Sequence, residues 1–444
     1  DAMKHGVPRA AWERGSVPIA LSGWRPPAAL PPHPRLEGDV DVDVAVVGAG
    51  LAGASLALGL AERRVGVALL EAGQPANGAS GRNAGHVEPF LGSLAPLRTW
   101  PDEGRRLVDL FVRSRDVVFE LCAKHGIDAD AEKSGILEVS RRPSAELQHK
   151  AEPWRRLGYA VEIATGARLH ELCGTDRYRF GVYWREGGRV NPYLFTHGMA
   201  AAAARLGARV YGESQVFGCE RVGSGWRLET ARGSVRARRV VLCTNHHADN
   251  GFFPELARTQ YPLVACTLAT TPLPDRVLRI VNPSRAAMMQ HPTGLYPLIV
   301  DGRRRLVTST IPHPGAAHRG GRYFAYFLRF LRRTWPELRG EPIAMESYWT
   351  GMTSNSSSVY REDYPQLFEV ADGVLALLNL GSWGNVIGPV LGLNVAQALA
   401  EDRPGDLVLP LQRPTAVRFP RLFEWKIRYL LVPAARIVDR LGLA

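Results

Sequence analysis

The chain has 444 residues, of which 45% are hydrophobic and 22% charged, with 55 Lys plus Arg against 43 Asp plus Glu and only 5 Cys. This is the composition of an ordinary globular protein; it excludes disorder, collagen-like repeats and a disulfide scaffold, and the length calls for two packed lobes rather than one core. The net charge of +12 is almost wholly Arg, with five Lys and no long basic run, so it does not point to nucleic acid, whereas an anionic small substrate would feel the same field.

Residues 1–40 form a proline-rich extension in which Pro18 to Pro34 reads as extended chain, and no apolar run ending in small residues marks a signal peptide. Val40 to Val47 alternates Asp with Val and then turns wholly apolar, the pattern of a strand entering a buried parallel sheet. Gly48-Ala49-Gly50-Leu51-Ala52-Gly53 follows, then a helix-prone stretch from Ala54 to Arg63 and an apolar strand from Val65 to Leu70 that ends at Glu71. Strand, glycines, helix, strand and acid in that order are what dinucleotide binding requires. Gly48 permits the tight turn, Gly50 lets the backbone approach a pyrophosphate, and Gly53 allows the helix to pack closely on the strand. Leu51 and Ala52, between the glycines, are counted with them as cofactor-binding, and the N-terminus of the helix that follows turns its free N–H groups and positive end to the phosphates. Glu71, eighteen residues after Gly53, is placed to accept hydrogen bonds from ribose hydroxyls. The motif alone does not separate FAD from NAD.

From Ala72 the chain continues Gly73-Gln74-Pro75-Ala76-Asn77-Gly78-Ala79-Ser80-Gly81-Arg82-Asn83-Ala84-Gly85-His86. Here it resembles the FAD-dependent amine and amino-acid oxidoreductases of the D-amino-acid oxidase superfamily, in particular the gamma-glutamylputrescine oxidase and glycine oxidase-like branch. That branch carries a GASGRNGG segment after the ribose-binding acid, and Ala84 replaces one of its glycines. The resemblance implies that Ala72, Ser80, Gly81, Arg82, Asn83, Ala84, Gly85 and His86 pass along the flavin.

Further on, Gly187 to Pro192, a helix from Tyr193 to Leu206, and Gly207 to Tyr211 resemble the family's return from substrate lobe to FAD lobe, which places the Val216 backbone at the adenine. Trp226 to Thr230 and Ser234 to Arg238 read as a hairpin turning at Arg232-Gly233, and Val240 to Asn245 as an apolar strand whose small polar end resembles the family's ATNA strand end, which implies that Thr244 and Asn245 lie by the cofactor. Trp349-Thr350-Gly351 and Asp363-Tyr364-Pro365 resemble the family's WxG…DxxP stretch. Gly373 to Ala400 is uncharged and long enough to span a membrane, but its Asn, Gln, Gly and Pro residues make it a strand, a glycine turn and a helix. Within it, Leu378 to Asn385 resembles the family's C-terminal flavin motif, implying contacts from Gly381, Trp383, Gly384 and Asn385. Pro389 is expected to open the helix that follows, its positive end at the flavin's pyrimidine edge. Val386 stands where the family shows a further Gly.

The fold expected is α/β: a Rossmann-like FAD-binding lobe of the glutathione-reductase type from residues 41–93, 185–250 and 349–402, and a mixed-sheet substrate lobe from 94–184 and 251–348. The extension 1–40 and a basic amphipathic tail, 403–444, lie outside both. Capping of the protein's own surface by that tail is preferred over contact with a membrane. The resemblance implies oxidation of a C–N bond in an amine or amino acid, by hydride transfer to flavin N5 and hydrolysis of the imine, with O2 or another electron acceptor. His86 and Glu88, just beyond the Gly85 turn, are candidates to tune substrate protonation. Tyr296 is a third catalytic candidate, and Arg303, Tyr261 and Trp349 are pocket-wall candidates. Arg82 stands where some relatives carry a flavin-linking His, and no Cys lies beyond Cys266, so FAD is expected to be noncovalent. No Lys matches the oxygen-activating Lys that relatives carry on the strand equivalent to Arg305 to Ser309. Isolated Cys, and His without metal spacing, argue against a metal site and for a reducing, cytoplasmic setting. The rival readings are an NAD(P)H-dependent flavin monooxygenase and a nucleic-acid-acting flavoprotein.

Overall fold

The computed structural model describes residues 20–245, 252–356, 364–381 and 384–442. Gly38–Val47 runs parallel to Val67–Leu70 on one side and to Gly233–Leu242 on the other. Arg209–Tyr211 extends the parallel set beyond Val67–Leu70, and Val374–Leu378 extends it beyond Gly233–Leu242. Gln366–Ala371 and Leu411–Gln412 close one edge, and the hairpin Gly218–Val222 and Gly225–Thr230 folds off Gly233–Leu242, giving a nine-stranded sheet among the described residues. The parallel centre is buried on both faces: Val44 and Val46 enter one apolar cluster, Ala45 and Val47 another, which is why the run turns wholly apolar there.

Three local expectations need correction. The helix of the glycine motif begins at Leu51, not Ala54, because the Ser80 hydroxyl accepts the Leu51 N–H at 2.9 Å and holds the first turn. Ser234 to Arg238 and Val240 onward are one ten-residue strand, its whole length paired to Gly38–Val47. The helix expected to open at Pro389 is Gly384–Ala400, with Pro389 inside it. The proline removes one donor beyond the first turn.

The second sheet has eight strands among the described residues: in order Met345–Asn355, Tyr261–Thr270, Leu306–Thr310, Leu298–Val300, Ala287–His291, Ile136–Ser140, Phe180–Trp184 and Val161–Ala164. It is mixed, since Ala287–His291 and Ile136–Ser140 are parallel while the other pairs are antiparallel. Tyr323, Phe327, Phe330 and Leu331 on the helix Gly320–Thr334 fill the core beside it. Residues 349–355, expected with the first lobe, pair with Tyr261–Thr270 in this second sheet.

Neither terminal segment is peripheral. In residues 20–36, the Ser22 hydroxyl donates to Gly81 O at 2.6 Å, Trp24 meets Trp349 edge-on, and the Leu36 N–H reaches Ser214 Oγ. At the other end a helical run from Pro420 to Leu441 seats Ile427 and Val432 against Tyr261 and Leu263. Asp439 fastens that run between Arg141 and Arg333. Among the described residues no helix is long and apolar enough to cross a membrane, and all five cysteines are free.

Candidate functional site

The glycine motif behaves as a set of close approaches. Gly48 has φ +99°, and a Cβ there would lie 2.6 Å from Cys243 O, while one on Gly53 would lie 1.9 Å from Gly48 O. Only glycine satisfies both the left-handed turn and the contact of helix with strand. At Gly50 the nearest atom to a Cβ would be Ser80 Oγ, at 2.8 Å. The Glu71 carboxylate closes the motif by accepting the Ala49 N–H at 2.8 Å and the Gly73 N–H at 3.0 Å. Burial pushes its pKa up, opposed by the backbone N–H groups that stabilise the anion.

A second helix stands beside the first. A Cβ on Gly388 would meet Leu51, one on Gly392 would meet Ser55, and one on Gly59 would meet Ala396. The partners advance together along both chains, so Leu51–Glu62 and Gly384–Ala400 run parallel, packed through small residues. Both N-termini therefore lie at the same end, where Leu51, Gly384 and Asn385 line one cavity of about 620 Å³. Two positive helix ends converge on it.

The segment after Glu71 forms the next stretch of wall. Asn83 and Asn385 bond amide to amide, Asn385 Nδ2 also donates to His86 O at 2.8 Å, and Asn83 Oδ1 accepts the Gly85 N–H at 2.9 Å. Gly85 has φ +81°, and a Cβ there would lie 2.6 Å from Val190 O. Arg82, buried in the wall, donates to the carbonyls of Asn77, Ala20 and Thr350. Among the described residues it has no carboxylate partner. Burial, and then the charge of Arg25, lowers its pKa to about 10, which leaves it cationic at neutral pH. Its backbone carbonyl is held by the Trp349 indole N–H at 2.9 Å.

His86 meets Met288 O through Nε2 at 3.3 Å. Burial lowers its pKa to about 4, outweighing the Met288 and Ala84 carbonyls that favour the charged ring. The imidazole is neutral at physiological pH. Buried Glu88 stands on the same wall.

Of the residues expected at the site, Leu51, Ser80, Arg82, Asn83, Ala84, His86, Glu88, Asn245, Gly381, Gly384 and Asn385 line this cavity. Gly48, Gly50, Ala52, Gly53, Glu71, Ala72, Gly81, Gly85, Val216 and Thr244 do not line it. Gly48, Gly50 and Gly53 make the strand-to-helix turn behind Leu51, and Val216 is core, two residues from the Ser214 N–H that bonds Glu71 O at 2.7 Å. Trp383 lies outside the described residues. Tyr296 is not brought to the cavity: it stacks on Phe330 at 4.7 Å in the second core, because its strand-side neighbours Leu295 and Pro297 take the cavity face. Tyr261 and Trp349 are core residues, and Arg303 pairs with Glu346. The cavity's far wall comes from residues that carry no motif. It is made by Thr267, Ser309 and Met352 on the second sheet and by Lys426, Ile427 and Val432 on the C-terminal helix. The small-residue spacing Gly388, Gly392, Ala396 was the available signal for the paired helices; nothing local marks Thr267 or Lys426.

A pair of parallel helix ends, a glycine turn that no side chain can occupy and a cavity running from them into a second sheet fit an extended dinucleotide with a reactive ring beyond its phosphates. Comparison with known proteins agrees. The family model described as FAD dependent oxidoreductase (DAO) matches residues 43–398. The gamma-glutamylputrescine oxidoreductase of Escherichia coli (strain K12) is 27% identical over 331 residues, covering 72% of this chain and 75% of that protein. A glycine oxidase of Geobacillus kaustophilus is 29% identical over 243 residues, 52% of this chain and 62% of that protein. The crystal structure of glycine oxidase from Geobacillus kaustophilus superposes with a TM-score of 0.67 at 23% identity, covering 82% of this chain and 95% of that one.

Proposed function

The chain belongs to the DAO family of FAD-dependent oxidoreductases, and from that premise we propose that it oxidises a C–N bond in an amine or amino acid, the resulting imine then being hydrolysed. Bound FAD supplies the hydride acceptor, flavin N5. The turn Gly48 to Gly53 and the helix end at Leu51 receive the pyrophosphate, and Glu71 takes the ribose hydroxyls. The parallel helix beginning at Gly384, with the Asn83–Asn385 pair, would hold the ring's pyrimidine side, where its positive end would favour negative charge on the ring. Arg82 adds a fixed positive charge to the same wall without offering a side chain for covalent linkage, so the flavin is held noncovalently.

His86, neutral at working pH, orients the wall and does not take up the substrate's proton. Glu88 is the carboxylate we assign to the substrate ammonium. Arg82 and Lys426 are the wall's cations, beside the acids Glu88 and Glu146, a lining of both signs that suits an amine that also bears a carboxylate. Leu263, Met352 and Ile427 line the remainder and exclude water from the reacting carbon.

One observation carries this reading: a single cavity is bounded on one side by Ala79 to Glu88 with Gly384 and Asn385, and on the other by the second sheet. The test is anaerobic mixing of the yellow protein with a panel of primary and secondary amines and amino acids. Bleaching of the flavin without NADH or NADPH is expected, and peroxide on admission of air reports how much reoxidation goes to oxygen. Rapid reduction by NADH or NADPH, with no response to any amine, would overturn the assignment in favour of a monooxygenase.

A further inference from the structure

The C-terminal helical run has two faces of opposite use. Its inner face carries Ile427 and Val432, both buried. Five residues apart, they would point about 140° from one another on a regular α-helix. The run Lys426–Leu431 is a π-helix, and its wider turn brings both onto one side. That side roofs the cavity. The outer face is apolar and open: Leu422 is 56% exposed, Trp425 47% and Tyr429 52%, with Phe419, Leu430 and Ile437 exposed as well. Trp425 and Tyr429 stack on each other in solvent, centroids 6.0 Å apart.

The charge around this face selects its partner. From Arg413 to the end the chain carries seven cations and two acids, Glu424 and Asp439. Both acids are already engaged, Glu424 by Arg428 and Asp439 by Arg141 and Arg333. Exposed Arg418, Arg421 and Arg440 have no carboxylate partner among the described residues. Two copies of the tail would therefore meet cation to cation. Nucleic acid would satisfy the arginines and leave the Leu422, Trp425 and Tyr429 stripe in water. A surface that accepts aromatic and aliphatic side chains at its boundary and carries negative charge satisfies both.

We propose that the helical run Pro420 to Leu441 docks on an anionic phospholipid bilayer, lying in the interface with Leu422, Trp425 and Tyr429 inserted and the arginines on the headgroups. The roof is one helix thick, so docking sets the lipid surface about 10 Å from the cavity. The inference is independent of the substrate, and its test needs no turnover.

The flavoprotein is sedimented with phosphatidylcholine vesicles, with and without phosphatidylglycerol. Binding on the order of tenfold stronger to the anionic vesicles is expected, weakening as salt rises. The triple variant Leu422→Ser, Trp425→Ser, Tyr429→Ser replaces no cavity-lining residue and should lose that binding with its circular dichroism and flavin content unchanged. The double variant Arg418→Glu, Arg421→Glu, at two exposed positions, should lose it too and serves as the reading if the triple variant misfolds. No sedimentation with anionic vesicles, or equal sedimentation of wild type and folded variants, overturns the proposal. So does a dimer in light scattering that the triple variant dissociates, which would assign the face to a second copy.

Discussion

Asn83 and Asn385, 302 residues apart, exchange two amide hydrogen bonds, Asn83 Nδ2 to Asn385 Oδ1 at 3.1 Å and Asn385 Nδ2 to Asn83 Oδ1 at 2.9 Å. The pair ties the segment after Glu71 to the first turn of the last long helix, and with it the two halves of the wall proposed for the flavin. Asn385→Ala leaves Asn83 without its partner and frees the His86 carbonyl. Flavin titration of the apoprotein should show affinity weakened by about 1–3 kcal/mol, the range for buried hydrogen bonds lost on one side. Unchanged affinity would show that the pair does not shape the cofactor's seat.

Gly50 and Gly53 should fail in different ways. A methyl group on Gly50 meets only the end of the Ser80 side chain, at 2.8 Å, whereas on Gly53 it meets backbone, 1.9 Å from Gly48 O. Gly50→Ala should fold and lose flavin; Gly53→Ala should lose thermal stability even as apoprotein, since strand and helix must separate. Melting curves with and without added FAD distinguish these outcomes. A Gly50→Ala protein that retains its full flavin complement would show that this loop does not cradle the phosphates.

Much of the parallel sheet and the glycine turn was legible because each depends on neighbours in sequence: the apolar run at Val44 to Val47, Gly48 to Gly53, and the acid at Glu71. That the segment Ser80 to Glu88 belongs to the cavity wall was legible through wording shared with a family. What local sequence does not encode is which distant surfaces meet. Trp349 reads equally well as a pocket wall and as core, and only the pairing of Met345–Asn355 with Tyr261–Thr270 settles that it backs Arg82. Lys426 reads as one cation in a basic tail, yet the seating of Ile427 on Tyr261 and Leu263 brings it to the cavity. The His86 pair with Glu88 looked like a titrating couple because sequence gives residue types but not burial, and burial holds the imidazole neutral.

That burial makes stability depend on pH. In the fold His86 has a pKa of about 4, below the ordinary histidine value near 6.5. Between those values the unfolded chain takes up a proton that the folded protein refuses. The stabilisation is full above about pH 6.5, falls as pH descends toward about 4, and levels off below. His197, also lowered to about 4, and His33, lowered as well, both chiefly by burial, act in the same direction. Urea midpoints of the wild type at about pH 7 and about pH 4.5 should differ more than those of His86→Gln, the carboxylates contributing alike to both. Equal differences would remove His86 from the account.

The N-terminal segment, which composition alone marks as an extension, is built into the wall of the site. Trp24 is buried, donates its indole N–H to Asn83 O at 2.7 Å and packs edge-on against Trp349 at 6.2 Å. Ser22 holds Gly81 O, and Asn191 Nδ2 donates to Trp24 O at 2.9 Å. Residues 20–36 therefore brace the segment Gly81 to Asn83 from the side away from the cavity. Trp24→Ala opens a large void beneath it and should cost about 3–5 kcal/mol of stability, as for other buried tryptophans. Because the void lies behind Asn83, the loss should carry over to the cofactor: flavin dissociation should accelerate at temperatures where the protein remains folded. Trp24→Phe, which keeps most of the volume and loses only the indole donor, should recover most of the stability while flavin release stays faster than in the wild type. Stopped-flow release of flavin from the two variants separates bracing from simple packing. If Trp24→Phe releases flavin at the wild-type rate, the indole bond to Asn83 has no part in holding the site.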